Sequence, residues 1–125
     1  MYVRYSNLSQ TIPIHYNVFG EADRFGEKEE IWKPLIVVTI IFIGMTICSK
    51  FPHIFNYPLT ITKDNELRQY SNATRLLRHF KLVITLIFGY LILKSLQNSD
   101  LDGWFPLVML GLLIIPFIMY VKNLK

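Results

Sequence analysis

The sequence predicts an all-α integral membrane protein with three transmembrane helices and one amphipathic helix at the membrane surface. The chain has 125 residues, of which 52% are hydrophobic and only 18% are charged. The apolar residues are bunched into long runs, whereas a soluble domain would spread them at helical or strand periods. The net charge of +4 comes mainly from one connecting segment, which is typical of the cytoplasmic side of a membrane protein.

The first 30 residues are predicted to be a polar segment outside the membrane domain, which occupies residues 31–125. Within it, residues 12–28 (IPIHYNVFGEADRFGEK) contain one histidine, one asparagine, two glycines, three acids and two bases. A polar cluster next to a membrane span has a fixed depth and meets one compartment. We therefore predict a ligand-recognition surface made by His15, Asn17, Gly20, Glu21, Asp23 and Lys28.

Three apolar runs are predicted to cross the membrane, for which roughly 17–25 residues are needed. Trp32 and Trp104 begin the first and third runs and are typical interfacial anchors. The second run is the weakest, because Lys81 and Lys94 must extend their ammonium groups to the interfaces. The predicted spans are 31–50, 76–96 and 104–121.

Residues 63–78 are predicted to form an amphipathic helix that lies at the cytoplasmic surface and continues into the second span. Its apolar face includes Leu67, Tyr70 and Leu77, and the opposite face carries Asn72 and basic residues. Such a basic face most often binds anionic lipid headgroups rather than an acidic protein or nucleic acid. The predicted headgroup ligands are Arg68, Arg75, Arg78 and Lys81.

The orientation follows from the distribution of lysine and arginine. Residues 50–81 contain six of them, whereas residues 95–103 contain none. The positive-inside rule then predicts that the N-terminus is outside and the C-terminus is cytoplasmic. The polar segment would therefore face the exterior.

The chemistry available to the polar segment leaves several interpretations open. His15 with Glu21 and Asp23 could hold a divalent metal, but zinc sites usually draw three or four protein ligands and the segment has one histidine. A simple folded turn, with Asn17 and Gly20 in one bend and Gly26 in another, is the plainer interpretation. Asp23 would then pair with Arg24 or Lys28. No nucleophile stands in a recognisable catalytic setting, so we predict no enzyme activity, no catalytic residue, no metal and no cofactor.

Residues 12–28 resemble the bacterial membrane-protein domain of unknown function found at the N-terminus of SdpI-like immunity proteins. The resemblance is carried by the spacing Pro-x-His-x-Asn-x-x-Gly-Glu-x-Asp from Pro13 to Asp23, followed by Gly26, Lys28 and Trp32. Members of that family typically have a helix before the motif, so the resemblance implies a short form without it. It also implies a multi-pass protein of the bacterial inner membrane with an outward-facing motif, and a role in immunity to a secreted peptide toxin or in sensing an envelope ligand.

Two other functions fit the same residues. The chain could be a small structural or helper subunit whose spans pack in a homo-oligomer or with a larger membrane partner. Less favoured is a metal-dependent membrane enzyme that uses His15. The partners predicted in every case include the lipid bilayer.

Overall fold

The computed structural model describes residues 5–125 of the chain. A β-hairpin is followed by three long helices. The strands are β1 (Thr11–Tyr16) and β2 (Ala22–Glu27), and the helices are α1 (Trp32–Cys48), α2 (Glu66–Leu96) and α3 (Phe105–Lys122). Short 3-10 turns occur at Tyr5–Asn7, Lys28–Ile31 and Pro52–Ile54.

The three helices are long and apolar enough to cross a membrane. Their most apolar windows have mean hydropathies of 2.1, 1.8 and 2.1. Large apolar side chains cover their outer surfaces, whereas the buried core of residues 5–125 reduces to Ile12, Ile31, Val83 and Phe105. So small a core and so much exposed apolar surface are typical of a membrane protein rather than of a water-soluble domain. The prediction of three helices long and apolar enough to span a membrane is confirmed.

The prediction of an all-α fold is wrong for the N-terminal segment, because residues 11–27 form a two-stranded antiparallel sheet. Ile12 and Pro13 are fully buried and Ile14 is half-buried, whereas His15, the next residue of β1, is exposed. The apolar residues Ile12, Ile14 and Tyr16 recur with the period of a strand, and an interior proline such as Pro13 disfavours a helix. Thr11 pairs with Glu27 and Tyr16 pairs with Ala22, with irregularities around His15.

No separate amphipathic helix is present within the described residues, since residues 66–96 form one continuous helix. Glycine and proline are absent between Glu66 and Phe88, so nothing in the sequence breaks the helix there. At 1.5 Å per residue, α2 is about 46 Å long. That length exceeds the roughly 30 Å hydrocarbon core of a bilayer, so α2 projects beyond it. The helix ends at Leu96, and Asn98, two residues later, adopts the left-handed conformation with φ 52°.

The first turns of α2 pack in a way that their charge pattern does not predict. Leu67, assigned to the apolar face, is 80% exposed, whereas Gln69 and Asn72 are buried. The Asn72 amide donates to the Tyr120 carbonyl at 3.0 Å, and the Gln69 amide donates to the Leu124 carbonyl at 2.9 Å. Helix ends leave unsatisfied carbonyls. Two polar side chains of α2 are therefore buried because they satisfy the end of α3.

Helix α2 packs against both α1 and α3, which make at most a marginal contact with each other. The first residue of α1, the last of α2 and the first of α3 lie at the same end of the bundle. We call this the hairpin end, because β1 packs there against α2. The opposite end, called the loop end, carries residues 49–65 and the end of α3.

Candidate functional site

The hairpin is bonded to the last turn of α2 and to the connection between α2 and α3, residues 97–104. Four hydrogen bonds join segments that lie about eighty residues apart in the chain, so the hairpin is fixed on the bundle. The Ser95 hydroxyl donates to the Pro13 carbonyl, the Tyr16 hydroxyl to the Ser99 carbonyl at 3.0 Å, the Leu101 amide to the Gly20 carbonyl at 2.8 Å, and the Ala22 amide to the Asp100 carboxylate at 2.7 Å.

The turn between the strands is built by Asn17 and Gly20, as predicted. The Asn17 side-chain oxygen accepts from the amides of Phe19 at 2.9 Å and Glu21 at 3.0 Å. Gly20 has φ 85°, a left-handed conformation that favours glycine. A Cβ at this position would lie 3.1 Å from the Cβ of Leu101, so Gly20 also permits the close approach to the connection.

Gly26 does not form the second predicted turn. It lies within β2, and a Cβ there would stand 2.8 Å from the Cδ1 of Ile14. The glycine therefore makes room for a side chain of the neighbouring strand.

Two polar pairs form on the exposed face of the hairpin. The His15 imidazole lies 2.6 Å from the Asp23 carboxylate, and the Asn17 amide donates to the Glu21 carboxylate at 3.0 Å. Asp23 thus pairs with His15 rather than with Arg24 or Lys28, because β1 and β2 bring the two residues together across the sheet. The hairpin therefore brings these four residues together near its turn at Gly20.

Lys28 lies apart from that cluster, at the far end of the hairpin. Its amide donates to the Gln10 carbonyl, and its ammonium lies 5.0 Å from the centre of the Tyr5 ring. For a metal, the arrangement offers too few ligands: within residues 5–125, no group of three or more His, Cys, Asp or Glu side chains could hold an ion.

The connection between α2 and α3 holds an ionic cluster that sequence reasoning missed. The Asp102 carboxylate accepts from the Tyr90 hydroxyl and lies 3.1 Å from the Lys94 ammonium. These two partners lower the pKa of Asp102 below its ordinary value of 3.8. Nearby, burial and the Asp100 charge raise the pKa of Tyr16 to about 12, so its hydroxyl remains a donor.

The Asp102 cluster gives a pH-dependent prediction. A carboxyl group with a lowered pKa in the folded state stabilises that state above its unfolded pKa, and the contribution is lost as the pH falls through the folded value. We expect the melting temperature in detergent to vary little with Asp102 ionisation between neutral pH and about pH 5, and to fall below about pH 4. Asp102→Asn should remove part of this acid-dependent loss. An acid response identical in Asp102→Asn and the unmodified protein would contradict this role.

A pocket of about 750 Å³ lies beneath the hairpin. Its roof is β1 and the start of the turn, and its walls come from α2, the start of α1 and the start of α3. The walls are mainly apolar, while charged groups stand at the rim. The helix residues that line it include Pro34, Phe88, Leu91, Ile92, Phe105 and Met109, and the charged rim residues are His15, Arg24, Glu30 and Lys33.

The residues predicted to bind lipid headgroups divide into two groups. Arg68, Arg75 and Arg78 are exposed on the first turns of α2. Lys81 is half-buried and donates to the Thr46 hydroxyl of α1 at 2.9 Å, with its ammonium 4.6 Å from the centre of the Phe42 ring. Lys81 therefore joins α1 to α2, in contrast to its predicted headgroup role, because Thr46 offers an acceptor within reach.

The chain is similar to one protein family and to one archaeal protein, and neither description states a function. Residues 1–39 match the family described as "Domain of unknown function (DUF1648)". That match covers the hairpin and the first turns of α1. An uncharacterized protein of Archaeoglobus fulgidus is 28% identical over 123 residues, covering 88% of this chain and 67% of the relative. No solved structure matches the chain. The chain is thus similar to a DUF1648 domain at its hairpin end and is distantly related to an archaeal protein.

Proposed function

We propose that this chain is a non-enzymatic protein of the cytoplasmic membrane that recognises an external ligand with its hairpin, in the manner of SdpI-like immunity and envelope-sensing proteins. The observation that carries the proposal is the fixed hairpin, which holds the His15–Asp23 and Asn17–Glu21 pairs on an exposed face. Four hydrogen bonds hold it on the bundle. A surface ordered before binding loses little conformational entropy when a ligand arrives.

The charge distribution supports an external hairpin. The exposed Arg68, Arg75 and Arg78 belong to the loop end, and Lys122 and Lys125 end the chain on that side. The connection 97–104 at the hairpin end has two aspartates and no basic residue. By the positive-inside rule, the loop end faces the cytoplasm and the hairpin faces the exterior.

The orientation is testable with single cysteines in a Cys48→Ala background. We expect Ser9→Cys, an exposed position before β1, to react with a membrane-impermeant maleimide in intact cells. The matched control is Asn123→Cys, an exposed position at the loop end, which should react only after lysis. The reverse labelling pattern would reject external recognition by the hairpin.

A structural or helper role is the second candidate, favoured by glycines that the intrachain packing leaves open. A Cβ at Gly44, Gly89 or Gly111 would meet no atom within 4 Å, apart from the backbone of its own helix. Small residues on helix faces permit close approach of another helix. Copurification of a larger membrane protein in mild detergent, at constant stoichiometry, would favour this role over ligand recognition.

A further inference from the structure

The pocket beneath the hairpin has a depth that suits an acyl chain. Its wall on α2 extends from Ser95, at the hairpin end, to Phe88. Seven residues of helix correspond to about 10 Å. Its volume of about 750 Å³ falls within the range of roughly 300–1,000 Å³ typical of small-molecule sites. The pocket therefore extends from the membrane surface into the depth occupied by hydrocarbon.

The wall residues have the chemistry of a lipid tail site. Phe88, Leu91 and Ile92 contribute one side and Met109 contributes the other. These side chains offer dispersion contacts and no hydrogen-bond donor. A chain that moves from bilayer hydrocarbon to such a wall gains little free energy, because lipid tails are as apolar as these side chains. Selectivity must therefore come from the polar rim.

At the rim, three of the four charged residues are already paired. The Lys33 ammonium lies 2.5 Å from the Glu30 carboxylate, and His15 lies against Asp23. Arg24 makes no hydrogen bond or ion pair with any side chain in the described part of the chain. Arg24 is exposed and is one of the residues that line the pocket. A planar guanidinium binds phosphate with two parallel hydrogen bonds.

From the apolar wall and the unpaired Arg24 at its mouth, we propose that the pocket binds one anionic phospholipid of the bilayer. The headgroup phosphate contacts Arg24, and one acyl chain lies along Phe88, Leu91, Ile92 and Met109. The hairpin covers the glycerol region. This assignment goes beyond the recognition of an external ligand, and it holds for either orientation of the bundle.

The two tryptophans of the chain make the site measurable. Trp32 begins α1 and Trp104 precedes α3, so both lie at the hairpin end with the pocket mouth. The full chain would be placed in nanodiscs of phosphatidylcholine that contain a small fixed fraction of acyl-brominated lipid, which quenches tryptophan on contact. We expect brominated phosphatidylglycerol to quench more strongly than brominated phosphatidylcholine, with an apparent preference of about tenfold.

Two variants test the two halves of the site. In Arg24→Gln, brominated phosphatidylglycerol and brominated phosphatidylcholine should quench about equally, because the phosphate contact is lost. Ile92→Phe should weaken quenching by both lipids, because the larger ring fills the apolar wall. The matched control is Lys50→Gln, which removes an exposed basic side chain at the loop end and should keep the preference.

Several outcomes would overturn the proposal. Equal quenching by both lipids in the unmodified protein would remove the anionic selectivity. An unchanged preference in Arg24→Gln would separate Arg24 from the headgroup, and unchanged quenching in Ile92→Phe would place the chain elsewhere. Displacement of the brominated lipid by soluble inorganic phosphate would assign Arg24 to a free anion instead.

Discussion

Gly20→Ala is expected to release the hairpin from the connection between α2 and α3. An alanine at φ 85° costs about 1–2 kcal/mol in the left-handed region. Its Cβ would also lie 3.1 Å from the Leu101 Cβ and 3.2 Å from the Leu101 carbonyl oxygen. Hydrogen exchange in nanodiscs would measure the effect at the Leu101 amide, which donates to Gly20. Its rate should rise about tenfold or more, since 1.4 kcal/mol corresponds to a factor of ten.

Gly103→Ala is the matched control, because Gly103 lies in the same connection. A Cβ there would meet no atom within 4 Å, and its φ lies outside the left-handed region. Exchange at Leu101 should therefore stay within about twofold of the unmodified protein, as expected for a surface change of less than about 0.5 kcal/mol. Equal exchange in the Gly20 and Gly103 variants would show that Gly20 does not hold the hairpin.

Replacing His15 and Asp23 together by alanine is expected to abolish recognition while membrane insertion stays intact. The double variant removes an exposed pair and leaves in place the four hydrogen bonds that hold the hairpin on the bundle. Loss of a charge-assisted contact to a ligand costs roughly 1.5–3 kcal/mol, equivalent to at least about tenfold in affinity. The measurement is survival of cells that express the chain and are challenged with secreted peptide toxins.

The control for this experiment is His53→Ala with Asp64→Ala. It removes one exposed histidine and one exposed aspartate from the loop end, so the change in composition is identical. Protection should persist in the control pair. If the His15 and Asp23 double variant also keeps full protection at normal expression, the hairpin pairs have no part in recognition.

The spans were predictable because bilayer thickness sets their length and hydrophobicity marks them. Trp32 and Trp104 were correctly predicted to stand at helix starts. The hairpin was missed because its strand period extends over only Ile12, Ile14 and Tyr16, and polar residues surround them. The turn at Asn17 and Gly20 was predictable, since both residues have local backbone preferences that do not depend on distant contacts.

The residues that hold the hairpin and the end of α3 in place do so through long-range packing, which leaves no local signal in the sequence. Nothing in the sequence around Ser99 and Asp100 indicates a partner, yet both bind the hairpin. Asn72 was assigned to the charged face of a surface helix. Its role at the end of α3 depends on a contact with a residue 48 positions away, which a local pattern does not reveal. Charge periodicity alone cannot separate an exposed amide from one that satisfies a distant carbonyl.

The bonded hairpin also determines how a force applied to it is shared among the helices. The hairpin continues into α1 and is bonded to the connection that joins α2 and α3, so it links the same end of all three helices. The loop end is joined by the chain between α1 and α2, by the Lys81 hydrogen bond to Thr46, and by the amide contacts of Gln69 and Asn72 with the end of α3. A load on the hairpin therefore reaches all three helices together rather than α1 alone.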